Sequence, residues 1–110
     1  MLKVYFALML ALTALQSQAA KSIRFLAASE LQASLLSEKD DIRLSGRNYI
    51  MGVVDTLMLT KTSPICMQTE TEINQITDLV KLQLAQRPDL LRYNAASVVR
   101  EVMVANYPCI

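Results

Sequence analysis

The sequence predicts a small all-α fold: a four-helix domain in which one disulfide ties the C-terminal helical hairpin. Three observations lead there. Past residue 20, no run alternates apolar and polar residues as a half-buried strand does, while apolar residues recur every three or four positions. The three prolines fall between or after the periodic segments rather than inside them. The two cysteines, Cys66 and Cys109, flank the last two of those segments.

The first element stands apart from the domain. Lys3 precedes an apolar stretch from Val4 to Leu12, extended by Thr13, Ala14 and Leu15, and Ser17-Gln18-Ala19 supplies a small-x-Ala exit. This is the layout of a secretory signal peptide over residues 1–19, cut after Ala19 or Ala20. The stretch is shorter than the roughly 20 apolar residues that span a bilayer, so no stable membrane insertion is expected after cleavage. Residues 20–110 suit a single domain of marginal core size. Lys3 is the leader's one charge, so its loss leaves basic and acidic side chains equal in number. That balance offers no attraction for nucleic acid or an anionic membrane. An apolar fraction of 53% argues against disorder.

In the domain, Ser29-Glu30-Leu31-Gln32 reads as a capping box, opening a short helix to about Ser37 with Leu31, Leu35 and Leu36 inward. Phe25 and Leu26 are placed to fold over its first turns. Glu38-Lys39-Asp40-Asp41 makes a solvated corner, its aspartates suited to the next helix start. The second helix spans about Asp41 to Leu59, with Tyr49, Ile50, Val53, Val54, Leu57 and Met58 as an apolar stripe. Gly52 interrupts that stripe at a cost of about 1 kcal/mol relative to alanine, which suggests that another backbone approaches it. Thr69-Glu70-Thr71-Glu72 reads as a second capping box, for a helix running to about Gln86. Ile73, Ile76, Val80 and Leu84 form its buried face, widened by Leu79 and Leu82. Arg87-Pro88-Asp89 ends it, because the residue before proline is pushed out of the α region. The last helix lies between about Leu90 and Asn106, with Ala95, Val98, Val99, Val102 and Ala105 inward. Asn94 is a candidate cap for its main part, which would leave Asp89–Tyr93 as a separate turn.

Two cysteines in an exported chain read as a disulfide. A zinc site would need carboxylates for its remaining ligands, since the chain has no histidine, and a redox pair is more often two residues apart. A short turn at Arg87–Asp89 folds the last two helices into a hairpin, and Cys66 and Cys109 then meet at its open end. Catalysis has little to build on. Without histidine there is no Ser-His-Asp or Cys-His arrangement, and Gly46 and Gly52 form no phosphate loop. Asp55 and Glu101 are the acids set among apolar helical neighbours, read as stripe-edge or salt-bridged residues before functional ones. No enzyme activity, cofactor or metal is expected. The apolar surplus of the second and third helices suits a homodimer face or a groove for another protein. Tyr49, Tyr93 and Tyr107 favour interfaces, and Met51, Met58, Met67 and Met103 read as gap fillers. The Thr60–Pro64 loop and the Glu38–Asp41 corner are the exposed candidates for recognition.

Gly46-Arg47-Asn48-Tyr49-Ile50-Met51-Gly52-Val53-Val54-Asp55 followed by Cys66, then Gln86-Arg87-Pro88-Asp89, Ala95-Ala96 and Tyr107-Pro108-Cys109, resembles the Rap1a/Tai family of type VI secretion immunity proteins. The resemblance runs from about Phe25 to Cys109. It implies a small, periplasmic, all-helical homodimer that blocks a peptidoglycan amidase effector by occupying its cleft. It also implies that Cys66 and Cys109 are the bridging pair and that Tyr49, Gly52, Asp55, Pro88 and Pro108 are signature positions of structural character. Two features depart from the family pattern. Leu35-Leu36 and Leu44-Ser45 stand where many relatives carry a second cysteine pair, and Arg87 stands where histidine commonly precedes the proline. Partner-binding residues do not follow from the resemblance. The alternative function is a periplasmic structural or scaffold module of the same fold with no toxin partner.

Overall fold

The computed structural model describes residues 24–67 and 71–109; the expected leader lies outside them. Among the described residues four α-helices follow in order: α1 (Ala28–Leu35), α2 (Asp40–Leu59), α3 (Ile73–Gln86) and α4 (Ala95–Asn106), with a 3-10 turn over Pro88–Arg92 between the last two. No strand forms among the described residues, and no described helix is long and apolar enough to cross a membrane.

Each of the four helices packs against the other three, α4 included. α4 buries Ala95, Val98, Val99, Val102 and Met103, and Met103 takes the inward place expected of Ala105, which is exposed. Valines lower helix propensity through restricted χ1 freedom, so enclosure on three sides holds this helix. Its start is fixed as expected: the Asn94 side chain accepts a hydrogen bond from the Ser97 amide at 2.8 Å. Asn94→Ala should lower stability by about 1 kcal/mol, measured by urea denaturation; an unchanged midpoint would show the cap to be dispensable.

Both ends of α4 are also pinned by single antiparallel bridges. Ala27 pairs with Asn94 ahead of it, and Ile65 pairs with Pro108 beyond it. At the first, the Ala28 amide donates to Tyr93 O and the Ala95 amide to Leu26 O, each at 2.8 Å. At the second, the Cys66 amide donates to Tyr107 O at 2.8 Å. The Cys66–Cys109 disulfide closes beside that second bridge, with Cα atoms 4.9 Å apart. The segment entering α3 is thus tied covalently to the segment leaving α4, as the hairpin argument expected.

The first bridge explains one departure from expectation. The N-cap of α1 is Ala27, not Ser29, and no side chain caps it. With the helix opening two residues earlier, Tyr93 O takes the Ala28 amide and Ala27 O takes the Leu31 amide at 3.1 Å, so Ser29 lies inside the first turn and has no leading amide left to cap. The second expected box fares similarly: α3 begins at Ile73 after an extended Glu72 that makes no side-chain cap. Thr69 and Glu70 lie outside the described residues.

The core holds Leu31 and Leu35 of α1, Ile50 and Val54 of α2, Ile76, Val80 and Leu84 of α3, and Leu90 of the turn. Leu26, Tyr49, Val53, Leu57, Met67, Leu79 and Tyr107 pack against it partly buried. Besides Ala105, the residues Phe25, Leu36, Met58 and Leu82 were expected inward and face solvent instead, as does Met51, expected as a gap filler. Phe25 lies on the approach to the Ala27 bridge, where backbone pairing and not its ring anchors the chain. Arg43 secures the α1–α2 corner by donating to Ser37 O at 2.8 Å and pairing with Asp40.

α1 crosses α2 closely at Gly46. A Cβ there would lie 3.0 Å from Leu35 Cδ2 and 3.2 Å from Ser34 Cβ. Gly46, Ile50 and Val54 form one buried i, i+4 row of α2, so the glycine is where the row admits the neighbouring helix. Gly52 has no such role within the chain. Nothing lies within 4 Å of a Cβ built on it, which corrects the expectation of a close backbone approach at that position.

Candidate protein-binding groove

The exposed Gly52 lies in a concavity between α2 and α4. Two adjacent rows of α2 line it, Asn48-Gly52-Thr56 and Tyr49-Val53-Leu57, and α4 contributes Ala96, Ser97 and Arg100. The groove encloses about 540 Å³. Its form follows from side-chain size. Gly52, Ala96 and Ser97 project little, so the two helices pack through larger neighbours and leave a trough over the small ones. The Thr56 hydroxyl donates to Gly52 O at 2.8 Å, which draws it back along its own helix.

The lining is apolar at the floor and polar at the rim. Tyr49, Val53 and Leu57 are half-buried and present apolar surface continuous with the core. Asn48 and Arg100 stand exposed at the rim, and Arg100 takes part in no ion pair among the described residues. An apolar floor with a sparse polar rim is how partner-binding patches are built. The groove brings together two of the expected signature positions, Tyr49 and Gly52. Asp55 is exposed on α2 and lies outside it. Pro88 opens the 3-10 turn and Pro108 forms the bridge to Ile65; neither borders the groove. Asn48, Ala96, Ser97 and Arg100 were missed by the sequence reading, because only packing shows which face of α4 sits across from Gly52.

The two acids weighed as functional groups separate here. Glu101 pairs with Arg87 at 3.2 Å, and Arg87 also reaches Asp89 at 3.3 Å. Asp89 foremost, then Glu101, hold the Arg87 guanidinium above its ordinary pKa. This pairing latches the 3-10 turn to α4, which gives Glu101 a structural partner. Among the described residues no three His, Cys, Asp or Glu side chains gather as a metal site. Tyr93, the third candidate interface tyrosine, is exposed, with the Arg92 guanidinium 5.6 Å from its ring centre.

The openness at Gly52 gives a prediction of unusual sign. Gly52→Ala should stabilise the isolated protein by about 0.5–1 kcal/mol, since alanine gains helix propensity and meets no neighbour. Thermal unfolding checks it, and a destabilised variant would mean that Gly52 is already in contact in the free protein.

The family model for Rap1a immunity proteins matches residues 24–109. No curated protein is similar enough to match the chain.

Proposed function

The chain belongs to the Rap1a immunity proteins, and from that premise we propose that it protects its host by binding a type VI secretion peptidoglycan amidase effector in the periplasm. An immunity protein acts by binding a toxic effector protein and needs no catalytic group of its own. The observation that carries the reading is the family match across the domain, residues 24–109. The leader over residues 1–19 supports export, and the disulfide suits an oxidising compartment. The surplus of exposed apolar residues on α2, namely Leu44, Met51, Met58 and Leu59, supports a homodimer as the working form.

The α2–α4 groove is the proposed seat for the effector. Small residues along its floor let a partner segment approach the backbone of α2, and Tyr49 supplies the rigid amphipathic contact common at the centre of interfaces. The test is co-purification with effectors encoded by adjacent open reading frames, together with rescue of cells forced to export them. A tight complex and restored growth are expected; neither complex nor rescue with any neighbouring effector would overturn the reading. Gly52→Arg then tests the groove. The fold should tolerate the side chain, because a Cβ at this exposed position meets nothing within 4 Å and the groove beyond it is open, while affinity should fall about 100-fold or more through a cation placed on an apolar floor. Unchanged affinity would remove the groove from the interface and leave the function standing.

A further inference from the structure

On another side of α2 the fold builds a second concavity of opposite character. The face carrying Asp40, Arg43 and Arg47 meets the α3 face carrying Thr77, Asp78 and Lys81, and together they bound a cleft of about 570 Å³. Both faces follow helical spacing, so the cleft is a property of the two helices and not of a loop. Thr77 is buried, its hydroxyl spent on Ile73 O at 2.8 Å.

Charge inside the cleft is not settled internally. Arg43 is committed to Asp40 and to Ser37 O. Arg47 and Lys81 join no ion pair among the described residues, and neither does Asp78, which is exposed. The Arg47 Nε is buried and has no hydrogen-bond partner. Buried N–H groups nearly always have an acceptor, and a charged one is the costliest to leave without. A guanidinium presents Nε–H and Nη–H as a fork that matches the two oxygens of a carboxylate or phosphate. With Arg43 and Asp40 cancelling, two cations face one acid.

We propose that the α2–α3 cleft is a binding site for a compact oxyanion, a carboxylate or phosphate group, taken by the Arg47 guanidinium and Lys81. The site is independent of the α2–α4 groove. Its charge is positive by one, which suits a singly charged group better than a polyanion. Asp78, three residues before Lys81 on α3, competes for the lysine and limits affinity.

The experiment is an NMR titration of the ¹⁵N-labelled protein, isolated from expressing cells, at matched ionic strength. The probes are sodium acetate, inorganic phosphate and the capped peptide acetyl-Gly-Glu-Gly-amide, with sodium chloride as the reference. The Arg47 Nε–H resonance and the Thr77 and Lys81 amides should shift saturably with an oxyanion and little with chloride. Saturation by acetate or phosphate alone upholds the site for a free anion; saturation by the peptide as well upholds it for a partner's acidic side chain. Arg47→Met and Lys81→Met should each weaken binding about tenfold or more, and Asp78→Asn should tighten it. Lys81→Met serves alone if Arg47→Met melts below the working temperature. Linear, chloride-like shifts would overturn the proposal, as would unchanged binding in the methionine variants. Loss of binding in Asp78→Asn would overturn it too, because removing a competing negative charge cannot weaken an anion site held by Arg47 and Lys81.

Discussion

Replacing Cys66 and Cys109 together with alanine is expected to lower stability by about 3–4 kcal/mol, the value for cross-linking a loop of this length in the chain-entropy model. The cysteines are 43 positions apart, so the bond removes much of the freedom of the unfolded chain. Both residues are exposed, so the substitution opens no core cavity, and the loss reports the cross-link itself. A small domain has about 5–15 kcal/mol in total, which makes this a large share. The measurement is urea denaturation of the double variant against the parent, with a reduced parent sample as a second comparison. Reduced parent and variant should unfold at similar midpoints. A loss below about 1 kcal/mol would mean that the Ile65–Pro108 bridge holds this end of the domain without the bond.

Leu31→Ala should cost about 3–5 kcal/mol, the upper part of the range for fully buried leucines. Leu31 is 0% exposed, and α1 has only eight residues, too few to persist by propensity alone. Its adhesion rests on Ala28, Leu31 and Leu35, with Leu31 in the middle. The variant should therefore detach α1 as a unit before the rest unfolds. Hydrogen exchange would show amides of Ala33 to Leu35 losing protection while those of Val98 to Val102 keep theirs. Equal loss in both helices would show instead that the domain opens only as a whole.

Sequence alone made legible whatever depended on local periodicity. The i, i+3 and i, i+4 rows of α2 and α3 located those helices, and the proline at position 88 marked the break between α3 and α4. Asn94 was readable because a cap works within three residues of itself. Ser29 has the same local credentials, yet the helix opens earlier, at Ala28, whose amide bonds Tyr93 O, a partner distant in sequence that no local pattern announces. The glycines teach the same lesson more sharply. Gly46 and Gly52 look equivalent as helix interruptions, but only Gly46 falls on the Ile50–Val54 row, and that row could have singled it out. Gly52 falls on the outward side, where its value depends on what α4 sets opposite it. Phe25 shows the limit of composition: a large ring beside a helix start was expected inward, and the backbone bridge two residues later anchors the chain without it. The candidate groove and the Arg47 cleft were not legible because each is made by two helices whose mutual rotation only the packed core decides.

The double pinning of α4 bears on when the chain can fold. Leu26 and Ala28 find their hydrogen-bond partners at Ala95 and Tyr93 respectively, and Cys66 finds its hydrogen bond at Tyr107 and its disulfide at Cys109. Pairings this distant in sequence must wait for the intervening chain. During synthesis, then, the α1–α2 corner can form early, but the ties of Leu26 and Ala28 and of Cys66 must wait for α4 and the segment after it, and a product halted near position 90 would lack both.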